Sequence, residues 1–226
     1  MRALGLCLVL ILLVASLAHA ICPYPTPKVC SRYFESEVVF FGEVLKMEYV
    51  SDPALENDAD WIQYTIKVKE AYRGHANTIE KVLTGNDSAR WYGEVRKSYV
   101  LFVSGGKTSS TCGPLDEPGN VQEIVKQIHA LQKASSATIE GEVFSRSGGW
   151  GGSSGIPARG IHLKVRRGTE EFDSVTDQNG RFSFTLSPGT YTLIGGDLTL
   201  SDYSNQNLQH ISLEPGECAQ FQLLTR

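Results

Sequence analysis

The sequence has no run of basic residues, and its overall charge is of the other sign: 21 Lys and Arg stand against 25 Asp and Glu, a formal net charge of −4. Nucleic-acid binding of the general, phosphate-neutralising kind needs a dense cationic surface, and so does polybasic attachment to anionic membranes. Composition therefore speaks against both. Closely spaced cysteine pairs of the C-x-x-C type are missing, which removes the usual zinc frameworks. No H-E-x-x-H arrangement occurs among the histidines, and neither a paired-carboxylate nor a Ser-His-Asp constellation emerges from spacing. No resident cofactor or metal is implied. Disorder throughout is excluded in turn, because 41% of the residues are hydrophobic and only 20% charged.

Long apolar runs are also scarce. The one that stands out is Leu4 to Leu17, preceded by Arg2 and followed by Ala18-His19-Ala20. A short cationic start, an apolar stretch and small residues at −3 and −1 read as a secretory signal over residues 1–20, cleaved between Ala20 and Ile21. The run is shorter than the ~20 apolar residues a spanning helix needs, so no stable membrane insertion is expected once it is removed. Lipid attachment at Cys22 is disfavoured, because Ile21 precedes it where a small residue is wanted. Loss of Arg2 leaves 20 basic against 25 acidic residues, net −5.

Four cysteines then remain beyond Cys7 of the leader: Cys22, Cys30, Cys112 and Cys218. In an oxidising compartment they are disulfide candidates, and spacing alone leaves all three pairings open.

About 200 residues are comfortable for two small domains. Ser36 to Val50 is β-branched and aromatic and reads as a long strand, bent or bulged at Gly42. Trp61 to Tyr72 alternates, with Ile62, Tyr64, Ile66 and Val68 on one face. Thr78–Thr84 and Ser98–Ser104 read as further strands. Val121, Ile124, Val125, Ile128 and Leu131 then follow a helical stripe, with Asn120 as N-cap and Glu123 three residues on. This is the one helix that the mature sequence announces. A small, polar linker, Gln132 to Ala137, separates the domains, 21–134 and 135–226. Beyond it the pattern is all strand: Thr138–Ser145, Ile161 to Arg166, and Phe182 to Leu186, with Asn179-Gly180 as the strongest hairpin signal and Ser187-Pro188-Gly189 and Glu214-Pro215-Gly216 as turns. Short strands without helices indicate a β-sandwich.

Several residues invite a chemical reading. Gly151-Gly152-Ser153-Ser154-Gly155 matches G-x-S-x-G, but a nucleophile elbow needs a strand before the serine and a helix after it, and this context is glycine and serine. Trp150 sits among those glycines as a possible ligand contact, an aromatic face for a sugar or a partner surface, set against folding back over its own domain. Asp177 and Asn179 offer too few oxygens for calcium, and Asp177 reads better as a turn-capping residue. His75, His129, His162 and His210 are scattered surface or half-buried residues. Asn86-Asp87-Ser88 fits a glycosylation sequon.

Cys22 and Cys30 in a Pro-containing segment, Ser36-Glu37-Val38-Val39-Phe40-Phe41-Gly42-Glu43-Val44, Tyr64 to Gly74, Tyr99-Val100-Leu101-Phe102-Val103 and Cys112-Gly113 together resemble the netrin-like or tissue-inhibitor-of-metalloproteinase-like family. That resemblance covers about residues 22 to 133. It implies an OB-type five-stranded barrel with one packed helix, and a staple from Cys112 to Cys22 or Cys30. Closing such a loop of roughly 80–90 residues contributes about 4 kcal/mol by loop entropy. Cys218 then either joins the remaining N-terminal cysteine or stays unpaired.

Ile139-Glu140-Gly141-Glu142-Val143, Ile156 to Leu163, Ser174 to Phe184 and Ser187-Pro188-Gly189-Thr190-Tyr191-Thr192-Leu193 resemble the carboxypeptidase regulatory-like domain, a transthyretin-like sandwich whose fold overlaps carbohydrate-binding-like modules. The catalytic part of a carboxypeptidase is absent. The expected fold is thus mainly β, a barrel followed by a small sandwich. The expected function is a secreted or periplasmic, non-enzymatic binding or scaffold protein with an extracellular protein or glycan as partner.

Two alternatives follow from the resemblances. In the metalloproteinase inhibitors an N-terminal cysteine chelates the protease zinc through its free amine. Cleavage after Ala20 leaves Ile21 ahead of Cys22 and turns that nitrogen into an amide, and the closely spaced second cysteine of those inhibitors is missing. The other alternative is glycan binding by the C-terminal sandwich through the Trp150 loop.

Overall fold

The computed structural model describes residues 28–51, 60–85, 91–108, 120–145, 155–195, 198–200 and 210–225. The signal segment, Ala20, Ile21, Cys22, the Asn86 sequon, Cys112, Trp150 and the Gly151–Ser154 stretch lie outside them.

The fold is mainly β, a closed five-stranded barrel followed by a two-sheet sandwich. Barrel strands β1 (Val38–Ser51), β2 (Asp60–Arg73), β3 (Ile79–Gly85), β4 (Ser98–Ser104) and β5 (Lys107–Thr108) close in the order β1-β2-β3-β5-β4. This is the OB-type order, with β5 bridging β3 in parallel and β4 antiparallel. Alternation places Ile62, Tyr64 and Ile66 inside the barrel with Phe40, Val44, Val82, Trp91, Tyr99 and Leu101. Register shifts in β1 flank Phe40 and Gly42. Ordinary strand alternation turns Phe40 into the barrel and Val39 toward the helices. A Cβ at Gly42 would come within 2.5 Å of Ile66 Cγ2, so glycine is what allows β1 to bend against β2.

Two helices cover the outer face of β1 and β4: α1 (Val29–Glu35) and α2 (Val121–Leu131). The sequence announces α2 alone. Its stripe buries Ile124 and Ile128 with Val29 and Tyr33 of α1 against Val39, Tyr72, Val100 and Phe102. Asn120 occupies the N-cap position in αR conformation, and its side chain makes no cap hydrogen bond. Glu123 accepts from Gln127 (3.1 Å) rather than reaching back to close a capping box.

In the sandwich, β10 (Arg181–Leu186), β6 (Ala137–Ser145), β14 (Cys218–Thr225) and β12 (Leu198–Leu200) form one sheet, with β7 (Ile156–Pro157) added on β6. The second sheet runs β13 (Ile211–Leu213), β11 (Gly189–Ile194), β8 (His162–Arg167) and β9 (Glu170–Val175). Ile139, Val143, Leu163, Val165, Phe182, Phe184, Tyr191, Phe221 and Leu223 meet between them.

The Asn179-Gly180 turn corrects one expectation. It is tight, with Gly180 at φ +73°, but it joins β9 of one sheet to β10 of the other rather than two paired strands. The Gly180 carbonyl accepts the Val143 N–H at 2.8 Å, which draws the turn onto β6 and commits β10 to the β6 sheet.

Candidate functional site

The barrel and the sandwich meet along a seam built by α1 and the start of β14. Cys30 on α1 is bonded to Cys218, the first residue of β14, across 188 positions of sequence, with Cα atoms 5.5 Å apart. Of the three pairings left open by the sequence, this bond selects the one that joins Cys30 to Cys218. Lys28, just before α1, donates its backbone N–H to Gln220 Oε1 at 2.9 Å and places its ammonium 2.6 Å from the Glu140 carboxylate on β6. The Glu140 side chain is only 18% exposed while that of Lys28 is 55% exposed, so the carboxylate is shielded and the ammonium stays in contact with solvent.

The helix that carries Cys30 is seven residues long and would be marginal alone. Tertiary contacts hold it. Val29 and Tyr33, four apart, are buried on one face, and the Tyr33 hydroxyl donates to the Tyr72 carbonyl at 2.9 Å. Arg73 donates to the carbonyls of Ser36 (3.1 Å) and Phe34 (3.5 Å) at its C-terminal end. There a cation offsets the negative end of the helix dipole. The guanidinium also stacks over the Phe34 ring at 5.2 Å. Gln132, just past α2, donates to the same Tyr72 carbonyl at 3.1 Å.

Beside the disulfide lies a cleft of 220 Å³ lined by Ser31, Glu35, His210, Ser212, Glu217 and Phe221, among others. The Ser31 hydroxyl donates to Glu35 Oε1 at 2.9 Å, one helical turn on. Burial pushes the Glu217 carboxyl above the ordinary glutamate value. The N–H of Glu214, donating at 2.7 Å, and the charge of Arg73 oppose the rise, while Glu214 and Glu35 add to it. The cleft therefore carries the Glu35 carboxyl on the α1 side and the raised Glu217 carboxyl beside β14. Gly216 closes the seam: at φ +84°, its N–H donates to Ser136 (2.9 Å) and its Cα lies against the Leu131 carbonyl at the end of α2.

The sequence-derived candidates divide sharply. Cys30 and Cys218 come together. Cys22, Cys112 and Trp150 lie outside the described residues. Asp177 caps a turn, its Oδ1 accepting the N–H groups of Asn179 (2.8 Å) and Arg181 (2.9 Å). His75, His129, His162 and His210 are exposed, with the His129 ring edge-on to Tyr72 at 5.7 Å. Among the described residues, no three His, Cys, Asp or Glu side chains are placed to hold a metal ion.

Sequence reasoning missed α1, Lys28, Glu140, Arg73 and Glu217. A signal for the helix existed in the i, i+4 pair Val29 and Tyr33. The long-range ion pairs carried none.

No protein-family model matches the chain. No curated protein matches it either. Among solved structures, the chain is similar to the crystal structure of GBS52, the minor pilin in the gram-positive pathogen Streptococcus agalactiae, at 13% identity and a TM-score of 0.28, over 91% of this chain and 87% of that one. At that score the likeness bears on neither fold nor function.

Proposed function

We propose that this is an exported, non-enzymatic binding or scaffold protein of two modules, a netrin-like barrel and a carboxypeptidase regulatory-like sandwich, held at a fixed relative orientation. The observation that carries the reading is the Cys30–Cys218 disulfide at the seam. Such a bond persists in oxidising compartments, which supports export and agrees with the leader-like first twenty residues. The barrel order and the two-sheet sandwich support the module assignments. A protein that binds a large extracellular partner through two modules gains from having their geometry set in advance, because less freedom is lost on binding. An extracellular protein or glycan is the proposed class of partner.

The test compares secreted protein with a Cys30→Ser/Cys218→Ser variant by small-angle scattering, alongside N-terminal sequencing. The reading expects a chain beginning at Ile21, a rigid two-module envelope, and a broader distribution for the variant. Retention of the protein inside the cell with free thiols, or equal flexibility of both forms, contradicts it.

A further inference from the structure

Strand β1 outruns its partner. Strand β4 pairs with it only from Val38 to Glu43. Val44 then exchanges backbone hydrogen bonds with Arg96 and Lys97 at 2.8 and 2.9 Å. From Lys46 to Ser51, past the register shift at Leu45, β1 stays paired with β2 on one side, and among the described residues no strand pairs with it on the other. This is an open sheet edge, and such edges template the addition of a further strand. Two large apolar side chains on it are exposed, Leu45 at 43% and Tyr49 at 62%.

Natural edges are ordinarily protected by charges and bulges, and this one has both. The register of β1 on β2 shifts between Val44 and Lys46. Lys46 and Glu48, on one face of the strand, lie 2.6 Å apart within the chain. What distinguishes this edge is the order of its residues. Leu45-Lys46-Met47-Glu48-Tyr49 reads apolar, cation, apolar, anion, apolar: the apolar positions mirror each other about Met47, and the charge changes sign across it. Placed antiparallel beside a second copy with a two-fold axis at Met47, it sets each Lys46 opposite Glu48 of the second copy. The exposed Leu45 and Tyr49 come to the two ends of the contact.

We propose that the open edge of β1 is a homodimer interface, in which two copies of this chain join their barrels through antiparallel β1–β1 pairing centred on Met47. The contact is isologous, as closed two-fold dimers require. Opposite charges facing each other across strands stabilise the pairing, and like charges oppose it. The same two charges thus favour a second copy in this one register.

The test is sedimentation equilibrium on the full mature protein. Lys46→Glu and Glu48→Lys are compared singly and together, with far-UV circular dichroism to establish that each variant folds. The wild type is expected to show a concentration-dependent dimer. Each single substitution turns two attractive pairs into repulsive ones and weakens dimerisation about tenfold. The double substitution restores opposite charges and brings the dissociation constant back to within about threefold of wild type. A wild type that stays monomeric throughout, a dimer indifferent to both single substitutions, or a double variant as weak as the singles overturns the proposal.

Discussion

Cys30 and Cys218 stand 188 residues apart in the chain and are bonded to each other, which ties the first described helix to the last strand. Nearly the whole described chain lies inside that loop. By loop-closure entropy, a crosslink of this span removes about 5 kcal/mol of freedom from the unfolded chain. The Cys30→Ser/Cys218→Ser protein should lose about that much stability, measured as a fall in the urea midpoint. Adding reductant to the wild type should shift its midpoint in the same direction, while leaving the variant's shift from this bond absent.

Gly216 should be intolerant of any side chain. Its φ is +84°, and a Cβ would stand 2.5 Å from the Leu131 carbonyl oxygen. Gly216→Ala combines backbone strain with a clash against the end of α2, and should cost about 2 kcal/mol in thermal or urea unfolding. Gly105→Ala serves as the comparison. It shares a positive φ of 58° but meets nothing within 4 Å, so it isolates the backbone strain from the clash.

Glu217 should make stability depend on pH in a defined sense. Its carboxyl is held above the ordinary value of 4.5, chiefly by burial. Folding therefore favours the protonated form. The associated stability is fully present below the ordinary glutamate range and is lost as pH rises through the elevated folded value. Glu217→Gln keeps an oxygen to accept the Glu214 N–H and carries no charge. Its unfolding midpoint, followed from pH 4 to 7, should fall less with rising pH than that of the wild type.

Asp177→Ala should cost about 1 kcal/mol, because one oxygen of that carboxylate accepts two backbone N–H groups of the turn into β10. Asp177→Asn, which keeps the acceptor oxygen, should recover most of the loss in the same unfolding assay.

The elements legible in the sequence were those whose burial follows a local period. Phe182, Phe184 and Leu186 alternate with exposed Arg181, Ser183 and Thr185 along β10, and Ile124 and Ile128 mark the inner face of α2. The Gly42 bend was legible because a glycine inside a β-branched run has few other uses. Helix α1 was not announced, because seven residues give two turns and its stability comes from Arg73, Tyr72 and Cys218, all distant in sequence. The turn at Asn179-Gly180 was legible as a turn, but its flanking strands part because Gly180 bonds to Val143, and a local pattern holds no information about that contact. The seam was hidden for the same reason. Lys28 and Glu140 are 112 residues apart and become partners only once both modules have folded.

The most direct test of the account is peptide mapping of the exported, non-reduced protein by mass spectrometry. The account expects a peptide that joins Cys30 to Cys218. It also expects the two cysteines left over, Cys22 and Cys112, to be joined to each other in a chain beginning at Ile21. A peptide joining Cys30 to Cys112, with Cys218 carrying a free thiol, would contradict the account, because the seam would then lack the bond that fixes the two modules.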